Sequence, residues 1–273
     1  MDNWLIVPSG KTSLPGFNPL LSSVIQQPVV IVTGGSRGIG AATAKLFADN
    51  GYAVCINYKS DGAAAETLLS DLKSREAPCI AIKADVSAEE GTSKLFEAVD
   101  AEFGRLDVLV NNVGILKTQS KLVDMNADRI NALLINNVTS HFLCSREAVK
   151  RMSTQSGGAG GTIVNVSPGA ARTGSPNEYI DYAATKGAID TLTRGLAMEV
   201  AAEGIRVNGV RPGLIYTDMH ADGGEPDRIE RLKSKVPLNR GGQPEEVAQA
   251  IFWLASDKSS FSTGSILDVS GGL

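Results

Sequence analysis

Thr33-Gly34-Gly35-Ser36-Arg37-Gly38-Ile39-Gly40 decides how the rest of this 273-residue chain is read. The stretch follows a β-branched run at 29–33 and opens an amphipathic pattern at 39–50. A helix begins with unpaired backbone N–H groups that point outward, so a phosphate sits well at such a turn. A Cβ at the positions of closest approach would hold the anion away, which accounts for the demand for glycine. The spacing alone is weak evidence, because a glycine-rich turn also simply joins a strand to a helix. Its neighbours must decide.

They do so by alternation. Further strand-like runs lie at 53–58, 79–83, 108–111, 162–166, 205–211 and 266–269, and helical patterns at 63–75, 88–103, 127–152, 182–202 and 244–255. Most of the strand runs are continuously apolar, as expected for strands covered on both faces. Strand–helix alternation implies parallel βαβ units with right-handed crossovers. The expected fold is α/β: a single Rossmann-like, doubly wound parallel sheet of about seven strands with helices on both faces, spanning 29–273. Residues 1–28 read as a flexible or non-native extension. The cluster Gly157-Gly158-Ala159-Gly160-Gly161 is too short for a domain linker and reads as a connecting loop.

Composition narrows the partners. The chain carries 26 Lys and Arg against 30 Asp and Glu, a net charge of −4, which argues against a nucleic-acid phosphate backbone as a partner. No stretch reaches the roughly 18 apolar residues of a membrane span. The N-terminus lacks the basic start and continuous apolar core of a signal peptide. Cys55, Cys79 and Cys144 are odd in number and show no C-x-x-C spacing, and only two histidines are present. Reduced, mostly buried thiols in a cytoplasmic protein fit this better than a disulfide or zinc framework.

The choice of cofactor is a question of charge. An NAD site usually carries an acid about 20 residues on, at the end of the second strand, to hold the ribose hydroxyls. Here that strand ends Asn57-Tyr58-Lys59, with no acid before Asp61. Arg37 inside the turn and Lys59 after the strand suit a 2′-phosphate, which a carboxylate would repel. The alternative is that both are solvated surface cations. The expectation is NADP(H).

Tyr182 and Lys186 stand four residues apart near a helix start and so share one helical face. A free phenol, with a pKa of about 10, is a poor base at neutral pH. A neighbouring ammonium is expected to lower that pKa and make a proton donor and acceptor suited to an alcohol–ketone pair. On its own this spacing is common by chance.

Taken together, Thr33–Gly40, Asp85-Val86, Asn111-Asn112-Val113-Gly114, Asn137, Tyr182 with Lys186, Pro212-Gly213 with Thr217, and the closing Gly271-Gly272 resemble the short-chain dehydrogenase/reductase family over residues 29–273. Within it, the run 175–182 is most similar to bacterial reductases of the glucose-dehydrogenase-like and 3-oxoacyl-reductase-like kind. The resemblance implies Tyr182 as general acid/base, and Lys186 as the residue that holds the nicotinamide ribose. It implies that Asn137 anchors a water in a proton relay, although Asn136 stands beside it. It implies Gly34, Ser36, Arg37, Gly38, Ile39, Gly40, Asn57, Tyr58 and Lys59 as cofactor-binding positions, and Asp85, with Val86 beside it, at the adenine amino group. Asn111, Val113 and Gly114 would line the adenosine side, and Pro212, Gly213, Ile215 and Thr217 the nicotinamide end. No metal is implied. A homotetramer is, with the helices after Asn126 and Asp181 forming bundles between subunits, and a lid over 214–241.

One position departs from the family pattern. The fifth strand usually ends in two serines, the second of which hydrogen-bonds the substrate carbonyl. Here Ser167 is followed by Pro168, which has neither a hydroxyl nor an N–H to offer. Ser167 substitutes only if the strand end twists to turn its hydroxyl inward. The expected function is hydride transfer between NADP(H) and a small carbonyl or alcohol substrate. The alternative is an NADP(H)-binding protein with little or no catalysis. His141 is expected to pack or lie at the surface, and His220, in the lid, to be placed to meet substrate.

Overall fold

Strand β1 (Val29–Val32) is flanked on one side by β2 (Ala53–Tyr58) and on the other by β4 (Val108–Asn111). The computed structural model describes residues 26–167 and 174–273, so Pro168 and most of the expected extension lie outside the described residues. With β3 (Cys79–Lys83), β5 (Gly161–Val166), β6 (Ile205–Pro212) and β7 (Ile266–Val269), the sheet has seven strands in the order β3-β2-β1-β4-β5-β6-β7. Every pairing is parallel.

The two-residue period of a strand sorts the core into two layers. Val30 and Val32 of β1, Val54 and Ile56 of β2, and Val108 and Val110 of β4 pack on one face with Phe47 and Leu254. Val29, Ile31, Cys55 and Leu109 pack on the other with Phe96, Val99 and Met152. Helices α1 (Gly38–Asp49) and α2 (Gly62–Ser74) therefore cover the first face, and α3 (Glu89–Phe103) the second. The doubly wound architecture expected from the sequence is observed, with most element ends within a residue or two of their expected positions.

The helical pattern at 127–152 is not one regular helix. It comprises α4 (Ala127–Leu134), a single wide π-turn (Ile135–Thr139) and α5 (Ser140–Met152). Turns of this kind recur at functional sites. Asn137 sits inside this one, and its amide reaches out of the helix to another loop. Helix α6 (Ile180–Val200) packs against β6. Between β6 and α9 (Pro244–Ala255) the chain leaves the sheet and forms two short helices, α7 (Met219–Asp222) and α8 (Arg228–Leu232). The bridge Ile215–Gly242 closes the base of this excursion. Among the described residues, no helix is long and apolar enough to cross a membrane.

Candidate active site

The strand order reverses between β1 and β4, and a cleft opens at their C-terminal ends, as open α/β sheets require. It has two joined compartments of about 420 and 430 Å³, which share Ile39, Asn112, Gly114, Leu116, Thr217 and Met219.

The phosphate turn forms the floor between them. Gly34 and Gly38 adopt φ of +59° and +55°, values that side-chain-bearing residues rarely take. A Cβ on Gly40 would stand 2.5 Å from the Gly34 carbonyl oxygen, so the turn closes this tightly only with glycine there. Thr33 ties it to β4: its hydroxyl donates to Val110 O (3.3 Å) and accepts from the N–H groups of Asn112 (3.0 Å) and Val113 (3.3 Å). The Asn112 amide donates to the carbonyls of Thr33 (3.2 Å) and Gly34 (3.0 Å). The first turn of α1 thus faces the cleft with backbone N–H groups, and no side chain caps it. This cradle fits a dinucleotide pyrophosphate.

Gly34, Ser36, Arg37, Gly38, Ile39, Asn57, Tyr58, Lys59, Asp85, Val86, Val113 and Gly114 all line the outer compartment. Asn57 lines it largely as structure, because its amide donates to Ile82 O (3.3 Å) and Ala84 O (2.9 Å) and pins β2 to the end of β3. Arg37 and Lys59 are not free cations. Arg37 Nη2 contacts Asp222 Oδ2 at 2.5 Å, and Lys59 Nζ contacts Asp85 Oδ2 at 2.7 Å. Burial works to raise the Asp85 pKa, but the hydrogen bonds from Lys59 and Ser87 outweigh it and hold the carboxyl below its usual range. Asp61, the acid nearest the end of β2, caps α2 by accepting from Ala64 N (3.0 Å).

Asn111 needs a correction. It does not line the cleft: its side chain is buried and donates to Ser145 Oγ (3.0 Å) and Asn165 Oδ1 (2.9 Å). Neighbouring residues of an extended strand end point to opposite sides, so the cleft falls to Asn112. Asn112 stands in the Asn111–Gly114 motif without a role that its sequence position alone assigns. The one signal available was the adjacent glycine turn it must clamp.

The inner compartment is lined by Tyr182, Lys186, Pro212, Gly213, Ile215 and Thr217, with Leu116, Val166, Leu214, Leu232 and Leu273 among its apolar walls. Tyr182 and Lys186 are buried on one face of α6, with the Lys186 Nζ 5.6 Å from the Tyr182 ring centroid. Nζ also donates to Val166 O at 3.4 Å, and a Cβ on Gly114 would come within 3.2 Å of it. The electrostatics differ from the sequence expectation. Burial lowers the Lys186 pKa to about 8, against the opposing pull of Asp190, and burial raises that of Tyr182 instead of leaving it lowered by the ammonium. Desolvation disfavours the charged form of each. Tyr182 is held as a neutral phenol, a proton donor, whose hydroxyl contacts Met219 Sδ at 3.7 Å.

Asn137 holds the loop after Gly114. Its Oδ1 accepts from Ile115 N (2.8 Å), and its Nδ2 donates to Ile115 O (3.0 Å) and Thr185 Oγ1 (3.4 Å). Asn136 instead donates to Ala132 O (2.8 Å) and reaches Lys59. Ser167 is buried with its hydroxyl donated to the Lys186 carbonyl (3.1 Å), and it does not line the cleft. His141 is buried beside Ser140, and burial holds its pKa well below the ordinary value. His220 lines the inner compartment and meets Ile215 O at 3.1 Å through Nε2.

A nucleotide cradle at one end of a cleft and a buried phenol–ammonium pair at the other define an oxidoreductase of the Rossmann-like class. The family described as enoyl-(acyl carrier protein) reductase matches residues 34–273. The chain is 56% identical over 244 residues to the uncharacterized oxidoreductase YgfF of Escherichia coli K12, covering 89% of this chain and 99% of that protein. It is 36% identical to the chloroplastic NADPH-dependent aldehyde reductase 1 of Arabidopsis thaliana, covering 96% and 94%. A crystal structure of 3-ketoacyl-(acyl-carrier-protein) reductase from Brucella melitensis complexed with NADH superposes with a TM-score of 0.83 at 30% identity, covering 90% and 97%. The chain belongs to the short-chain dehydrogenase/reductase family.

Proposed function

We propose that the protein is an NADP(H)-dependent reductase of small, largely apolar aldehydes and ketones, working reversibly on the corresponding alcohols. The observation that carries the reading is the buried Tyr182 facing a largely apolar compartment, with Lys186 beside it on the same helix. A bound nicotinamide supplies the hydride, or takes it up in the reverse direction. Tyr182 Oη holds the proton that the substrate oxygen receives, and that oxygen takes the place Met219 Sδ occupies against the hydroxyl. Lys186 would hold the ribose. Asn137, anchored to both polar groups of Ile115, would keep the proton path and the Gly114 loop in place.

NADP(H) is supported over NAD(H) by the two cations at the outer end, each of which already holds an anionic group, Asp222 on Arg37 and Asp85 on Lys59. Arg37 stands in the phosphate turn, Lys59 follows β2, and the Asp61 carboxylate is committed to capping α2. The relative named for NADPH dependence points the same way, and the neighbour solved with NADH points the other. Apolar substrates are supported over polyols by the walls formed by Leu116, Val166, Leu214, Leu232 and Leu273. Ser167 acts in this reading by steadying the Lys186 turn of α6, not by polarising substrate.

A homotetramer is part of the proposal. Leu134, Ile135 and Phe142 around the π-turn and Ile180 and Met198 on α6 are exposed apolar side chains suited to burial against further copies. A second reading, cofactor binding without turnover, draws on Ser167 being turned away from the cleft. The test is NADPH oxidation with a panel of aliphatic and aromatic aldehydes, ketones and sugars. Turnover is expected with the apolar aldehydes first. NADPH binding without oxidation by any of them overturns the catalytic reading.

A further inference from the structure

Helix α7 is a single turn tied down at both ends. Met219 contacts the Tyr182 hydroxyl at 3.7 Å, and Asp222, three residues on, contacts Arg37 of the phosphate turn at 2.5 Å. Within the turn Asp222 N donates to Asp218 O (2.9 Å), and the His220 ring meets Ile215 O (3.1 Å) at the base of the excursion. One short helix therefore touches the catalytic phenol with one residue and the cation expected to hold a 2′-phosphate with another.

The two cations at the outer end differ in what holds them. Lys59 pairs with Asp85, whose other oxygen accepts from Ser87 N (3.1 Å) and Ser87 Oγ (2.6 Å), on a loop fixed to the end of the sheet. Arg37 pairs with a carboxylate that belongs to the lid. A phosphate brings more charge than a carboxylate and several acceptors matched to a guanidinium. Asp222 and a 2′-phosphate cannot share Arg37 without two anions facing one another at close range.

We infer that Asp222 is a lid-borne competitor for Arg37, so that a nucleotide carrying a 2′-phosphate displaces it and frees the lid, whereas a nucleotide lacking that group leaves it latched. The inference rests on the NADP(H) reading above. It makes Asp222 a specificity and positioning residue: it sets how strongly the phosphate is rewarded, and it links the outer compartment to access at Tyr182. The Arg37–Asp222 pair is half exposed, at 50% and 45%, which limits the effect to a few-fold and makes it dependent on salt.

The test uses two fragments without nicotinamide, adenosine 2′,5′-bisphosphate and 5′-AMP, so that nothing at the inner compartment contributes. Their affinities are measured calorimetrically at low and high salt for the wild type, Asp222→Asn, Arg37→Ala and the double variant. Tryptic cleavage at the lid's basic residues, Arg228 to Arg240, is followed alongside. Asp222→Asn is expected to tighten the bisphosphate roughly two- to fivefold at low salt and leave 5′-AMP unchanged, with the gain lost in the Arg37→Ala background. The bisphosphate is expected to speed lid cleavage in the wild type where 5′-AMP does not, and Asp222→Asn to be cut quickly without ligand. Equal tightening of both fragments, or none, overturns the latch. If Arg37→Ala selectively weakens the bisphosphate while Asp222→Asn changes nothing, only the latch falls. If the wild type binds both fragments equally and Arg37→Ala has no effect, the 2′-phosphate reading falls and the latch with it.

Discussion

The two ends of the cleft are built from different materials. The phosphate end is made of backbone: glycines at positive φ, the N–H groups of the first turn of α1, and a clamp in which Thr33 and Asn112 tie β1 to β4. The lid end is made of side chains on short helices, and ion pairs hold it together. Arg228 bridges Glu178 and Glu225, and Arg231 contacts both. A turn whose backbone groups are tied down by the Thr33 hydroxyl and the Asn112 amide has little freedom. Side chains paired across a loop rearrange at modest energetic cost.

If the chemistry depends on one group at the inner end, Tyr182→Phe gives the largest effect. It is expected to lower kcat/KM by about 10²–10⁴-fold while leaving NADPH affinity within a few-fold. A loss of less than tenfold would move the proton donor elsewhere.

Lys186 gives the next effect, read in stability. Its pKa in the fold is about 8 against an ordinary 10.5, so between those values the unfolded chain binds more protons and stability rises with pH. Relative to Lys186→Met, which removes the buried charge, the wild type is expected to be less stable at pH 8. The gap should narrow by on the order of 2–3 kcal/mol toward pH 10 in urea titrations. A gap that stays constant with pH would mean that the ammonium is solvated.

The neighbouring asparagines separate clamp from core. Asn112→Ala is expected to weaken NADPH binding about tenfold, because the turn loses two bonds to its carbonyls, at only a small cost in stability. Asn111→Ala should do the reverse, since it breaks a buried link among β4, α5 and β5. Calorimetry and thermal melts on the pair distinguish the roles, and equal binding losses would restore Asn111 to the site. Ser167→Ala gives the smallest change: about 1 kcal/mol of stability from a lost buried hydrogen bond, with kcat within twofold. A hundredfold fall in kcat would make Ser167 a substrate ligand after all.

The same contrast governs what the sequence discloses. Strand runs such as Val29–Val32 and Val108–Asn111 are short, apolar and punctuated by glycine or polar residues, so the sheet and its phosphate turn are legible without coordinates. Tyr182 and Lys186 are legible for the same local reason, their spacing along a helix. The choice between Asn111 and Asn112 is not, because one residue of register at a strand end exchanges core for cleft. The direction of the Tyr182 shift is also hidden, since it depends on how much surrounding chain excludes water. Arg37 lines the outer compartment, but its partner Asp222 lies 185 residues away, and no local pattern announces that contact. The single long helix expected at 127–152 misses the π-turn because composition does not encode the bonds Asn137 makes to Ile115.

On the proposed function, Arg37 and Lys59 make this cleft a site for a 2′-phosphorylated nucleotide serving Tyr182. The most direct measurement is kcat/KM for NADPH and for NADH with one apolar aldehyde, in the wild type and in Arg37→Ala. The wild type is expected to favour NADPH by at least about tenfold and Arg37→Ala to lose most of that preference. Equal values for the two cofactors, a preference for NADH, or a preference untouched by Arg37→Ala would contradict it.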